Sequence, residues 1–144
     1  MKKSILYRWF GLGAVPKSVR PTLESEGIVV LDEGMSGRLV MKDVDGPAKR
    51  YRQRTERFLG SLVVTQQRIL CHTFRKRQLS IAAGDERLRQ LFVDLLAQNR
   101  LSLSFESGNF RQGWRGVMTF EFSTDQAPRF LDALRSAGVQ QGTA

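Results

Sequence analysis

Alternating apolar and polar positions run through most of the chain from residue 28 onward, and they predict strands. Ile28 to Leu31 is a compact β-branched run. The turn-rich Asp32-Glu33-Gly34-Met35-Ser36-Gly37 follows it, then a weaker alternation from Arg38 to Val44, so the pair predicts a first hairpin. Asp45-Gly46-Pro47 breaks the chain. Phe58 to Thr65 and Gln67 to Phe74 carry the strongest strand pattern, with Leu62 and Val64 on one side and Val63 and Thr65 on the other. Leu101, Leu103 and Phe105 alternate with Ser102, Ser104 and Glu106 in the manner of a half-buried strand, and Val117 to Ser123 repeats that alternation.

Helical spacing appears at both ends. Ile5, Leu6, Trp9 and Phe10, with Lys2, Lys3 and Arg8 around them, predict a short amphipathic arm. Such an arm either lies on a membrane surface or, the preferred reading, packs its apolar stripe on the domain as an extra helix. Pro16 and Pro21 bracket one or two helical turns that lead into the domain. Residues 85–98 fit a helix capped by Asp85, yet Leu91 to Ala97 also fits a strand. Phe130, Leu131, Leu134 and Ala137 form the stripe of a C-terminal helix, with Asp125 as N-cap, Pro128 at its third position and Gly138 at a left-handed C-cap. Residues 139–144 are expected as a loose tail.

Composition narrows the class. At 144 residues the chain fits one domain, with residues 1–26 as an arm and 27–138 as its body. A single cysteine, Cys71, permits no intrachain disulfide and, beside the single His72, no structural zinc set, which points to a reducing compartment. No stretch approaches the roughly 20 apolar residues that span a bilayer. The Met1-Lys2-Lys3 start has the charge of a secretory leader, but Arg8 interrupts the apolar part and no small-x-small cleavage site follows.

Charge supplies the functional signal. The net charge is +9, and its excess lies before residue 84. Within 49–77, Lys49, Arg50, Arg52, Arg54, Arg57, Arg68, Arg75, Lys76 and Arg77 face one acid, Glu56. Nine cations against one anion attract acidic lipid head groups, nucleic acid or an acidic protein face, or else form a solvated basic surface. Arg50, Arg52 and Arg54 recur at spacing two, which in a strand sets three guanidiniums on one face.

The strands, the basic middle, the C-terminal helix and above all Gly60-Ser61-Leu62-Val63-Val64-Thr65-Gln66-Gln67-Arg68-Ile69-Leu70 resemble bacterial pleckstrin-homology-like and GRAM-type domains over about residues 27 to 138. In those families the apolar-Thr-x-x-Arg-apolar run is a tight hairpin. The resemblance implies a mainly β fold, a partly open barrel of two bent antiparallel sheets with about seven strands, capped by the helix after Asp125. It also favours strand for Leu91 to Ala97. Family members that bind phosphoinositides carry basic residues around the first hairpin loop, whereas Asp32 to Gly37 is acidic here. An anion site would therefore use Arg50, Arg52, Arg54 and Arg57, or the Arg75-Lys76-Arg77 turn, with Trp9 and Phe10 as membrane-arm residues.

Cys71 and His72 are adjacent in a predicted strand, so their side chains diverge and make a poor nucleophile-base pair. No nucleotide loop, cofactor motif or metal set stands out, and no cofactor is expected. The sequence thus predicts a non-enzymatic binding module, cytoplasmic and peripheral to the inner membrane, recognising an acidic lipid head group or an acidic protein face. Nucleic acid, with Tyr51, Phe58 or Phe74 as stacking surfaces, and homo-oligomeric assembly are the alternatives.

Overall fold

A computed structural model describes residues 3–47 and 50–144; Lys2 and Lys49, counted among the basic residues above, lie outside them. The elements in chain order are α1 (Ile5–Phe10), α2 (Arg20–Ser25), β1 (Ile28–Asp45), β2 (Arg50–Thr65), β3 (Arg68–Thr73), β4 (Lys76–Ala82), β5 (Leu91–Ala97), β6 (Arg100–Glu106), β7 (Arg115–Ser123), α3 (Ala127–Ala137) and β8 (Gln140–Gln141). The fold is mainly β, a curled, partly open barrel with α3 at its C-terminal end, as expected. Its strands form one eight-stranded sheet in the order β4-β3-β2-β1-β7-β6-β5-β8, rather than two sheets. All pairings are antiparallel except the short β5–β8 contact, which is the eighth strand beyond the expected seven.

The inner face collects the core. Phe58, Phe105, Phe120 and Phe122 lie at its centre, with Leu62, Val64, Ile69 and Cys71 from β2 and β3 and Phe130 and Leu134 from α3. Phe58 meets Phe122 edge-on at 5.4 Å, and Phe105 stacks on Phe120 at 6.0 Å. Val63 and Leu70 point the other way, into a smaller cluster with Val15 and Leu23. The N-terminal segment is therefore fastened to the outer face of β2 and β3. Among the described residues no helix is long and apolar enough to cross a membrane.

The Thr65-Gln66-Gln67-Arg68 phrase forms the expected tight hairpin. The Thr65 hydroxyl oxygen accepts from the N–H groups of Gln67 at 3.1 Å and Arg68 at 3.0 Å, and donates to Glu26 at 3.0 Å. Glu26 is buried and also pairs with Arg68 at 2.6 Å. Residues 85–98 divide between both readings: Asp85 caps a 3-10 turn over Glu86–Gln90, and Leu91 begins β5.

Three expectations need correction. Asp32 to Gly37 is not a hairpin loop but part of β1, which runs unbroken for 18 residues and pairs with β2 on one side and, from Gly37, with β7 on the other. A register shift between Asp32 and Met35 absorbs the turn-like residues, with Gly34 at φ +65 and Met35 buried. Asp125 does not cap α3. Gln126 is the N-cap, Thr124 accepts from its N–H at 3.1 Å, and Pro128 falls at the start of the helix, where no acceptor is lost. Finally, residues 139–144 are attached: Val139 is buried, Gly142 N–H donates to Val93 O at 2.9 Å, and Ala144 N–H donates to Ser104 Oγ at 2.9 Å.

Candidate functional site: an aromatic crest beside an arginine row

The acidic stretch of β1 decides how α1 sits. Lys3 Nζ pairs with Asp32 Oδ1 at 2.7 Å and donates to Glu33 O at 2.7 Å. Tyr7 OH donates to Glu33 Oε1 at 2.9 Å, and Arg20 pairs with the same oxygen at 2.9 Å. Val15 N–H donates to Glu33 Oε2 at 2.8 Å, and Gly34 N–H to Gly13 O at 2.9 Å. The Tyr7 ring lies on Gly34 so closely that a Cβ there would strike it. Burial, and then the Glu33 carboxylate, push the Tyr7 hydroxyl pKa above its usual value.

This latch turns the polar side of α1 inward. Ile5, Leu6, Trp9 and Phe10 are left outside, with Trp9 74% and Phe10 62% exposed. The preferred sequence reading, in which the stripe packs on the domain, is therefore reversed. Four large apolar side chains of one six-residue helix are thus exposed together, and α1 buries none of its residues.

A second element joins it. β3 and β4 are linked by the two-residue turn Phe74-Arg75, in which Thr73 pairs with Lys76. Phe74 has φ +53 and is 44% exposed, in a conformation that costs a bulky residue about 1–3 kcal/mol. Arg75 Nη2 reaches Phe10 O at 3.5 Å, which brings the turn to the end of α1. The end of α1, which carries the exposed Trp9 and Phe10, and the Phe74-Arg75 turn thus adjoin, and this exposed surface is called the crest below.

Beneath the crest a groove of about 610 Å³ is lined by Leu6, Phe58, Leu59 and Phe74 together with Arg38, Arg57, Arg100 and Glu121. Arg38 bonds Glu121 Oε1 through Nε at 3.0 Å and Nη2 at 2.6 Å, and Arg100 reaches the same oxygen at 3.1 Å. Arg57 stands directly opposite Arg38 across the β1–β2 pairing. Among the described residues it has no ion pair.

The sequence candidates divide between two places. Arg57, Arg75, Trp9 and Phe10 come together at the crest and groove, with Lys76 and Arg77 exposed on neighbouring β4. Arg50, Arg52 and Arg54 lie at the far end of β2; the seven-residue step from Arg57 to Arg50 is about 23 Å of strand. There Arg50 and Arg115 share Asp45 at 3.4 and 2.8 Å, and Arg54 pairs with Glu56 at 2.8 Å while stacking on Tyr51 at 4.7 Å. The Arg115 hydrogen bond holds the Asp45 carboxyl below the usual carboxylate range. Of the expected three-guanidinium row, Arg52 alone makes no ion pair among the described residues.

Arg38 and Arg100 were not among the sequence candidates, and Phe74 was named only as a stacking surface for nucleic acid. Arg38 and Arg100 meet Arg57 through strand register, which no local pattern reveals; Phe74 had a signal, an aromatic residue directly before three cations. Cys71 and His72 diverge as their adjacency implies, Cys71 into the core and His72 toward the outer face with Leu70. Burial, then Arg77, lowers the His72 pKa, and burial pushes the Cys71 thiol up to about 12. Among the described residues, no three His, Cys, Asp or Glu side chains are grouped to hold a metal ion. No protein-family model matches the chain, and no curated protein matches it.

Proposed function

We propose that this domain is a non-enzymatic, pleckstrin-homology-like module that docks peripherally on an anionic membrane surface, on the inner face of the cell membrane, through the α1–Phe74 crest. The observation that carries this reading is the outward apolar face of α1, held that way by Lys3 and Tyr7 on Asp32 and Glu33. Aromatic side chains at an interface bury their rings among head groups and acyl chains. Each nearby Arg or Lys adds about 1 kcal/mol against an anionic leaflet. Arg8, Arg57, Arg75, Lys76 and Arg77 occupy that position around the crest.

Of the three aromatics that nucleic-acid stacking would use, Phe58 is in the core and Tyr51 lies under Arg54, which leaves Phe74. That favours the membrane over nucleic acid. Co-sedimentation with phosphatidylcholine vesicles, with and without phosphatidylglycerol, tests the reading. Pelleting is expected with the anionic vesicles only, and Trp9→Ala with Phe10→Ala should abolish it. Equal, negligible pelleting with both vesicle types overturns it.

A further inference from the structure

The groove beneath the crest has an arrangement of charge that general attraction to a membrane does not require. Successive cross-strand positions on the outer face read Arg57 on β2, Arg38 on β1, Glu121 on β7 and Ser102 on β6. Arg100, two residues before Ser102, also turns to Glu121. A network that served only stability would alternate its signs. This one places two guanidiniums side by side, and like charges directly opposite one another on paired strands are destabilising. Glu121 is already shared by Arg38 and Arg100 through one oxygen, and among the described residues no carboxylate pairs with Arg57.

We propose that the groove is a binding site for a phosphate monoester head group, the anion seated between Arg57 and Arg38 with its hydrocarbon end toward Leu6, Leu59 and Phe74. Three arginines against one carboxylate leave two positive charges, and a phosphate monoester carries about −1.5 to −2 at neutral pH. A phosphodiester carries one. Guanidinium forks match phosphate oxygens in bidentate geometry, and two forks on adjacent strands can hold separate oxygens of one group. The Ser4 hydroxyl, which caps α1 by accepting from Leu6 N–H at 3.2 Å, lines the same groove and keeps its own proton to donate. Apolar lining beside the cations fits a phosphate joined to a lipid rather than a free ion. The source is a membrane lipid of the phosphatidic acid kind, and this inference rests on the membrane reading above.

The test compares phosphatidylcholine vesicles containing phosphatidic acid with vesicles containing phosphatidylglycerol at matched surface charge. The wild-type chain should bind the phosphatidic acid vesicles at least about fivefold more tightly, roughly 1 kcal/mol. The preference should fade as pH drops below the second phosphate pKa of about 6. Arg57→Gln and Arg38→Gln should each bring the ratio of phosphatidic acid to phosphatidylglycerol binding to about one; losing one cation near the surface should also weaken binding to both vesicles by about fivefold, roughly 1 kcal/mol, which leaves the ratio as the readout. Arg57→Gln should also leave the melting temperature unchanged or raised, because it relieves a like-charge pair; a fall would assign Arg57 a structural role instead. Equal wild-type binding to both vesicles overturns the head-group site and leaves the membrane reading standing. Binding to neither overturns both. Inorganic phosphate competing as strongly as the lipid would assign the groove to a soluble ion and overturn the lipid source.

Discussion

On the proposed membrane reading, Phe74 trades stability for contact. The first position of a two-residue hairpin turn with positive φ is one where glycine usually stands, yet an aromatic ring occupies it and points partly to solvent. Phe74→Gly should therefore leave the melting temperature unchanged or higher while weakening pelleting with anionic vesicles several-fold. A drop in both would mean that the ring serves packing. His72 gives a second single-residue expectation. Its folded-state pKa is lowered by burial, so the unfolded chain binds the proton more readily. Its contribution to stability is complete above the unfolded value of about 6.5 and is lost as pH falls through that value toward the folded one. Urea midpoints measured from pH 7.5 to 5 should fall, and His72→Gln should flatten the slope. Asp45 and Asp85, whose pKa values are lowered by arginine hydrogen bonds, keep their contribution above the usual carboxylate range and lose it as pH falls from that range toward their lowered values, below this window.

Among the elements, α1 and the bulged stretch of β1 depend on each other. The composition of Asp32 to Gly37 reads as a turn because Gly, Asp and Ser are turn residues. What makes it a strand is pairing with β2 across a bulge, a long-range fact that no window of the sequence contains. The same limit hid the role of its acids, which hold α1 and leave no room for a loop-borne anion pocket. By contrast, the β2–β3 hairpin and the C-terminal helix were legible, since strict alternation, a Thr-x-x-Arg turn and a C-terminal glycine act locally. Gly34→Ala should detach α1, because a Cβ would strike the Tyr7 ring and alanine disfavours φ +65. Limited proteolysis within residues 3–26 should then accelerate, and stability should fall by about 1 kcal/mol or more. Vesicle binding by Gly34→Ala should weaken even though every apolar residue of α1 is still present.

At the scale of the whole molecule, β1 closes the architecture by pairing with β2 next to it in sequence and with β7 some 80 residues on, at Gly37↔Phe122 to Lys42↔Val117. Strand order was beyond reach of the sequence because the alternation of β7 says which face is buried and not which neighbour it meets. The aromatic centre should behave as one cooperative unit. Phe120→Ala is expected to cost about 3–5 kcal/mol in urea unfolding, as for other fully buried aromatics. Cys71 offers a convenient readout. Buried in the same core, with its thiol pushed up to about 12, it should react with a disulfide reagent only through global opening. Its labelling rate should rise in Phe120→Ala in proportion to the lost stability.

The position of β4 at the open margin of the sheet gives Lys76 and Arg77 a second employment. An unpaired strand margin is a template on which another chain can add its own strand, and exposed lysine and arginine along it keep such chains apart. Neutralising these two side chains therefore removes a barrier to self-templated growth as well as two of the cations that the proposed membrane docking uses. Lys76→Ser with Arg77→Ser is expected to form thioflavin-positive, concentration-dependent aggregates, whereas Arg57→Gln, in the interior of the sheet, stays monodisperse in light scattering.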